Sequence, residues 1–262
     1  MLKTLFITGA LLTAASIAPS TAGAQYYYTS GHGDFRVFYD EVNQEFVPHI
    51  HLDSSATYLE DEILMRTDAA RVTHANNAAS IARFSGMLGI AAGEKIWVLG
   101  GSGAGPYLGF SGEGLIAADW VHTFADPDFG TFHGPVIHIE LTGWSMPEGA
   151  QFGLYKSSGL PDTWGNRASG DVIFSTYDPD FTYNANRLSV AVDDHTHYAF
   201  GFTKLGDYQL ELTFSSVYQG TQQVSTPATF SFQVVPEPST VAIIVPGLVG
   251  LLSLCRFRGQ KA

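Results

Sequence analysis

The sequence predicts an all-β protein, an antiparallel β-sandwich, and three observations carry that expectation. Short segments rich in β-branched and aromatic residues recur along the chain between turn residues. No apolar pattern of helical period is sustained through the body of the chain. The composition, with 28 Gly, 13% aromatic and only 15% charged residues, suits packed strands better than disorder.

The elements follow in order. Residues 34–40 alternate and are rich in strand formers, and residues 46–52 follow after a turn at 41–44, which predicts a hairpin. Residues 62–66 are short enough for a strand. Residues 67–82 are richer in Ala and Asn and predict a short helix or a long loop. Residues 95–99 form a further strand that runs into the glycine-rich stretch 100–106. The second half is more plainly β, with strands predicted over 135–141, 152–155, 171–175, 187–192, 197–203, 206–215 and 228–234. Turn chemistry separates them at Pro147-Glu148-Gly149, Pro161-Asp162 and Leu205-Gly206-Asp207. Many short strands with frequent turns fit an immunoglobulin-like or jelly-roll-like sandwich.

Several chemistries are excluded by composition and motif. The single cysteine, Cys255, lies near the C-terminus, so residues 25–235 hold no disulfide, no nucleophilic thiol and no thiolate metal site. That span carries nine Lys and Arg against 24 Asp and Glu, a formal charge of −15, which repels polyphosphates and argues against nucleic-acid binding. The stretch Gly100-Gly101-Ser102-Gly103-Ala104-Gly105 lacks the Gly-Lys-Ser/Thr ending of a phosphate loop. It precedes Tyr107-Leu108-Gly109-Phe110, not a helix, so it reads as a surface loop. No Gly-x-Ser-x-Gly elbow occurs. These exclusions point away from an enzyme.

Both ends carry processing signals. Residues 1–24 have an early charge at Lys3, an apolar run over 5–17 and small residues at Ala22-Gly23-Ala24, the layout of a secretory signal peptide. At the other end, Val235-Pro236-Glu237-Pro238-Ser239 precedes an apolar run over 241–254, followed by Arg256, Arg258 and Lys261. The prolines stop the preceding strand. The run is short for a permanent membrane span but suits insertion with a positive-inside stop. This tail resembles the PEP-CTERM sorting signal, with Pro236, Glu237 and Pro238 as its motif. The resemblance implies a short C-terminal transmembrane helix, an exosortase-type sorting enzyme as partner, and removal of the tail at the surface. The expected domains are a signal peptide (1–24), a β-sandwich body (25–234) and a sorting tail (235–262).

A second resemblance covers residues 31–234. The segment from Asp193-Asp194-His195-Thr196-His197 through Gly206-Asp207-Tyr208 to Thr229-Phe230-Ser231-Phe232-Gln233-Val234 is similar to the surface-anchored repeat of actinobacterial wall proteins. The earlier body resembles the choice-of-anchor M domain, through Gly31-His32-Gly33-Asp34, His49-Ile50-His51, Glu94-Lys95-Ile96-Trp97-Val98-Leu99 and Pro147-Glu148-Gly149-Ala150-Gln151-Phe152. The chain departs from that pattern after Leu99, where a proline and a polar residue are missing. The resemblance implies an exported protein displayed at the cell surface or in the extracellular matrix, anchored transiently in the membrane.

The histidines carry the chemical suggestion. Residues i and i+2 of a strand share a face, so His49 lies beside His51, and His195 beside His197. Two such pairs meeting across the sandwich would offer four imidazoles to zinc or copper. His32, Asp53, His138, Asp193 and Asp194 are candidate further ligands or supporting partners. Each pair could instead bond backbone carbonyls and neighbouring acids. The repeated Asp126-Pro127-Asp128-Phe129 and Asp178-Pro179-Asp180-Phe181 read as Asx-Pro turns, not calcium loops. Trp144 and Trp164 read as core aromatics before a sugar platform. The leading expectation is a non-enzymatic surface protein with a structural, adhesive or ligand-binding role. The alternatives are a divalent-metal-binding surface protein using the His-x-His pairs, and a module that binds or acts on extracellular polysaccharide.

Overall fold

A computed structural model describes residues 25–236, apart from residue 54 and residues 67–70, 75–76, 101–105, 127–129, 158–168 and 183–184. The expected signal peptide, and the tail from Glu237 and Pro238 onward, lie outside the described residues. Pro236 is the last described and is exposed.

The first half contains strands β1 (Tyr26–Tyr28), β2 (Gly31–Asp40), β3 (Glu45–Leu52), β4 (Thr57–Tyr58), β5 (Ile63–Arg66) and β6 (Arg71–His74). Helix α1 (Ala78–Leu88) and strands β7 (Lys95–Gly100), β8 (Pro106–Ser111) and β9 (Val121–Asp126) follow. The second half holds β10 (Gly130–Ser145), β11 (Phe152–Tyr155), β12 (Val172–Ser175), β13 (Arg187–Ala191) and β14 (His195–His197). It ends with β15 (Ala199–Phe202), β16 (Gly206–Tyr218), β17 (Thr221–Val224) and β18 (Ala228–Val234). Among the described residues no helix is long and apolar enough to cross a membrane.

These strands form three sheets. One has the order β1-β5-β18-β16-β10-β13, with β17 beside β16 and β9 beside β10. The second runs β12-β11-β15-β7-β6, and the third β14-β8-β2-β3-β4. The all-β expectation holds, but the purely antiparallel one does not. β1 and β18 each run parallel to β5, and β2 runs parallel to β8. Parallel neighbours need a long crossover. The chain provides one between β2 and β8, where β3 to β7 and α1 intervene.

The inner faces of all three sheets share one core, and alternation in the sequence builds it. β16 buries Tyr208, Leu210, Leu212 and Phe214, and β18 buries Ala228, Phe230, Phe232 and Val234, while the residues between them stay partly exposed. Phe35 of the third sheet lies 4.8 Å from Phe230 of the first and 5.9 Å from Phe200 of the second, ring centre to ring centre. Each fully buried phenylalanine contributes on the order of 1.5–3 kcal/mol.

Helix α1 starts later than the sequence suggests. The Asn77 side chain accepts from the Ser80 N–H, and Ser80 returns a bond to the Asn77 backbone, a reciprocal cap that sets the start. Gly89, at φ 67°, ends it in the left-handed conformation. Phe84, Met87 and Leu88 cover the outer face of the second sheet against Ile96, Val98 and Tyr155. Trp144 corrects another expectation, since 45% of it is exposed beyond a register shift in β10. Trp164 lies outside the described residues. Asp178 caps the 3-10 turn Pro179–Phe181, bonding the Asp180 N–H as an Asx turn does.

Candidate metal centre

The outer face of the third sheet is polar, and strand pairing dictates what it carries. Residues directly opposite in a sheet share a face. His32 pairs with Tyr107, and Asp34 pairs with Gly109 on one side and His51 on the other. His195 pairs with Ser111 and His197 with Gly109. His195 and His197 from β14, Tyr107 from β8, and His32, Asp34 and Arg36 from β2 therefore face the same way. Phe35, Val37, Ile50 and Phe110 face the core.

Among the described residues, His32, His195 and His197 form a group whose ligand atoms all lie within 4.8 Å of one another. The His32 and His197 rings are 4.7 Å apart, and the His195 and His197 rings 5.1 Å. Nδ1 of His32 lies 2.7 Å from Asp53 Oδ1, and Nδ1 of His195 lies 3.1 Å from Glu113 Oε1. A carboxylate at Nδ1 fixes the tautomer and leaves Nε2 free to ligate. Tyr107 stacks on His197 at 4.1 Å and holds that ring in place.

Asp34 lies beneath these rings with only 1% of its side chain exposed. Its Oδ2 is 3.5 Å from His32 Nε2 and 3.4 Å from the Arg36 guanidinium, and its Oδ1 is 3.7 Å from His197 Nε2. Arg36 also pairs with Glu113. Neither Asp34 Oδ1 nor His197 Nε2 has a hydrogen-bond partner, although both are buried. Burial pushes the Asp34 carboxyl above its usual range, with His32, His195 and Arg36 pulling the other way. Burial, reinforced by the charges of His32, His195 and Lys156, pushes His197 down to about 4, so its imidazole is neutral and able to ligate at neutral pH. Lys156 reaches the hydroxyl of Thr196, the residue between the two histidines, at 3.0 Å.

The structure brings His195 and His197 together with His32, not with His49 and His51. His51 bonds the Thr57 hydroxyl at 3.3 Å, and His49 is buried with Nδ1 3.2 Å from the Val47 carbonyl and its ring against Phe38. Both sit on β3, one strand beyond β2, on the far side of it from β14. Of the other candidates, Asp53 supports His32, and Asp194 accepts the His195 N–H at 2.8 Å. His138 lies on the first sheet, bonded to Ser189. Sequence reasoning missed Asp34, Glu113, Arg36 and Tyr107. The signal for Asp34 was present, because His32-Gly33-Asp34 obeys the same i, i+2 rule as the histidine pairs.

No protein-family profile, no curated protein and no solved structure matches the chain.

Proposed function

We propose that this protein is an exported, surface-sorted β-sandwich that binds a divalent transition metal, zinc or copper, without catalysing a reaction. The observation that carries the reading is the convergence of His32, His195 and His197, two of them oriented from behind by carboxylates. Imidazole donors suit zinc and copper best. The surrounding charge favours a cation: among the described residues, Asp34, Asp53 and Glu113 outnumber the cations near the rings, Arg36 and Lys156. Export and sorting rest on the leader at 1–24 and on Pro236, Glu237 and Pro238, with an exosortase-type enzyme and the membrane as partners. The resemblance to choice-of-anchor M proteins supports surface display.

Calorimetric titration of the purified full chain, kept in mild detergent because of its apolar tail, tests the metal reading. One equivalent of zinc or copper should bind at micromolar concentration or tighter, and the double variant His195→Ala, His197→Ala should lose at least a hundredfold in affinity. A protein that takes up neither metal, or a double variant that binds as well as the parent, would return the histidines to a structural role.

A further inference from the structure

The geometry points to Asp34 as the fourth ligand, closing a tetrahedral His32, His195, His197, Asp34 zinc site with no position left for solvent. This inference rests on the metal reading above and adds to it the coordination number and therefore the use of the site.

Zinc binds imidazole nitrogen and carboxylate oxygen at about 2.0–2.2 Å, and tetrahedral geometry then separates neighbouring ligand atoms by about 3.3–3.6 Å. Asp34 Oδ1 stands 3.7 Å from His197 Nε2, while the other oxygen, Oδ2, lies between His32 Nε2 at 3.5 Å and the Arg36 guanidinium at 3.4 Å. The Oδ1–Nε2 separation is too long for a hydrogen bond and close to the spacing of two ligands on one cation. Oδ1 is buried and unpartnered, and so is His197 Nε2, which faces it. Buried polar atoms are nearly always satisfied, and a pair of orphans facing each other is accounted for by a cation that both would bind. His195, the most exposed of the set at 41%, has the most freedom to adjust.

Gly109 makes the approach possible. It lies between Asp34 and His197 in the sheet, and a Cβ there would sit 2.4 Å from Asp34 Oδ1 and 2.9 Å from His197 Cδ2. With no side chain in the way, carboxylate and imidazole from next-but-one strands meet over the glycine. Arg36 holds the other oxygen, Oδ2, and keeps the carboxylate turned toward the rings. A site closed in this way stores, carries or braces with its metal, whereas an open one activates water.

Cobalt(II), which takes zinc sites and reports its coordination number by the intensity of its visible bands, provides the test. The full chain loaded with cobalt should show the intense spectrum of four-coordination, and added azide should leave it unchanged because no position is open. Asp34→Asn, nearly isosteric, should bind zinc at least tenfold more weakly, and its cobalt form should respond to azide. Azide shifting the wild-type spectrum would overturn the assignment even if the variant failed to fold. Zinc binding within twofold of wild type by Asp34→Asn would overturn it too, while leaving the three-histidine reading intact. Failure of the wild-type chain to bind zinc or cobalt at all would remove both.

Discussion

Replacing Gly109 by alanine is the most searching perturbation of the outer face, because it adds one carbon where three groups converge. The new Cβ would lie 2.4 Å from Asp34 Oδ1, 2.8 Å from the Thr196 carbonyl oxygen and 2.9 Å from His197 Cδ2. A side chain can swing away, but the Thr196 oxygen belongs to the backbone of β14, so that strand must shift relative to β8. Overpacking of this kind costs about 1–3 kcal/mol. Metal binding should suffer as well, since Asp34 and His197 are pushed apart; a tenfold loss of zinc affinity corresponds to about 1.4 kcal/mol. Urea unfolding of the metal-free protein measures the first effect and zinc titration the second. The reasoning fails if Gly109→Ala unfolds within 0.5 kcal/mol of the parent, on the order of an ordinary surface substitution, and binds zinc with the same affinity.

Three further outcomes are expected. Asn186, at φ 61°, accepts the Ser175 N–H at 2.8 Å and donates to the Ser175 carbonyl at 3.2 Å, all buried; Asn186→Ala should therefore destabilise the protein by about 2–4 kcal/mol, adding two unpaired backbone groups to a left-handed strain, and a urea midpoint unchanged from wild type would contradict this. Burial holds the His49 pKa below its ordinary value, so the unfolded chain takes up a proton near pH 6.5 that the folded chain refuses. The metal-free protein should accordingly lose stability as pH falls from about 7.5 through 6.5, with His51 and His197, also shifted downward, acting in the same sense; His49→Gln should flatten the dependence of Tm on pH, and an identical slope would count against it. Alanine at Pro236, Glu237 and Pro238 together should leave the protein in the membrane with its tail attached, as read by fractionation and mass of the mature chain; normal processing would refute the sorting motif.

Local alternation made much of this architecture legible. Tyr208, Leu210, Leu212 and Phe214 announce a strand with one buried face, and the structure places them so. Pairing direction was not legible, because nothing in Ile63-Leu64-Met65 encodes that its neighbours on both sides run parallel to it. The β9–β10 hairpin was also missed. Pro135 reads as a strand start, whereas the strand continues through it at the point where β10 exchanges β9 for β13 and β16. At the candidate site, the i, i+2 rule placed His195 beside His197 and gave no means of choosing their partner. That choice depends on strand order: β8 lies between β14 and β2, so His32 comes within reach while His49 and His51 fall one strand further away. Asp34 was placed in a strand but not in the site, because a lone acid at a strand start reads as exposed, and its burial follows only from its place in a central strand.

Strand β14 is three residues long, among the described residues pairs only with β8, and ends at His197, just before the chain leaves the third sheet for the second. A strand this short at an open edge peels readily, exposing backbone to pairing with other chains. A cation gripped by His32 on one side and by His195 and His197 on the other would rivet β14 to β2 across the strand between them, joining points far apart in the sequence. In a body without cysteine, that would be the work a disulfide does elsewhere, with one difference: the fastening would be set by metal supply and acidity instead of by oxidation. Chelation would then loosen one margin of the molecule while the phenylalanine core stayed shut, and amide exchange should quicken at His195–His197 well before it does in β16 or β18.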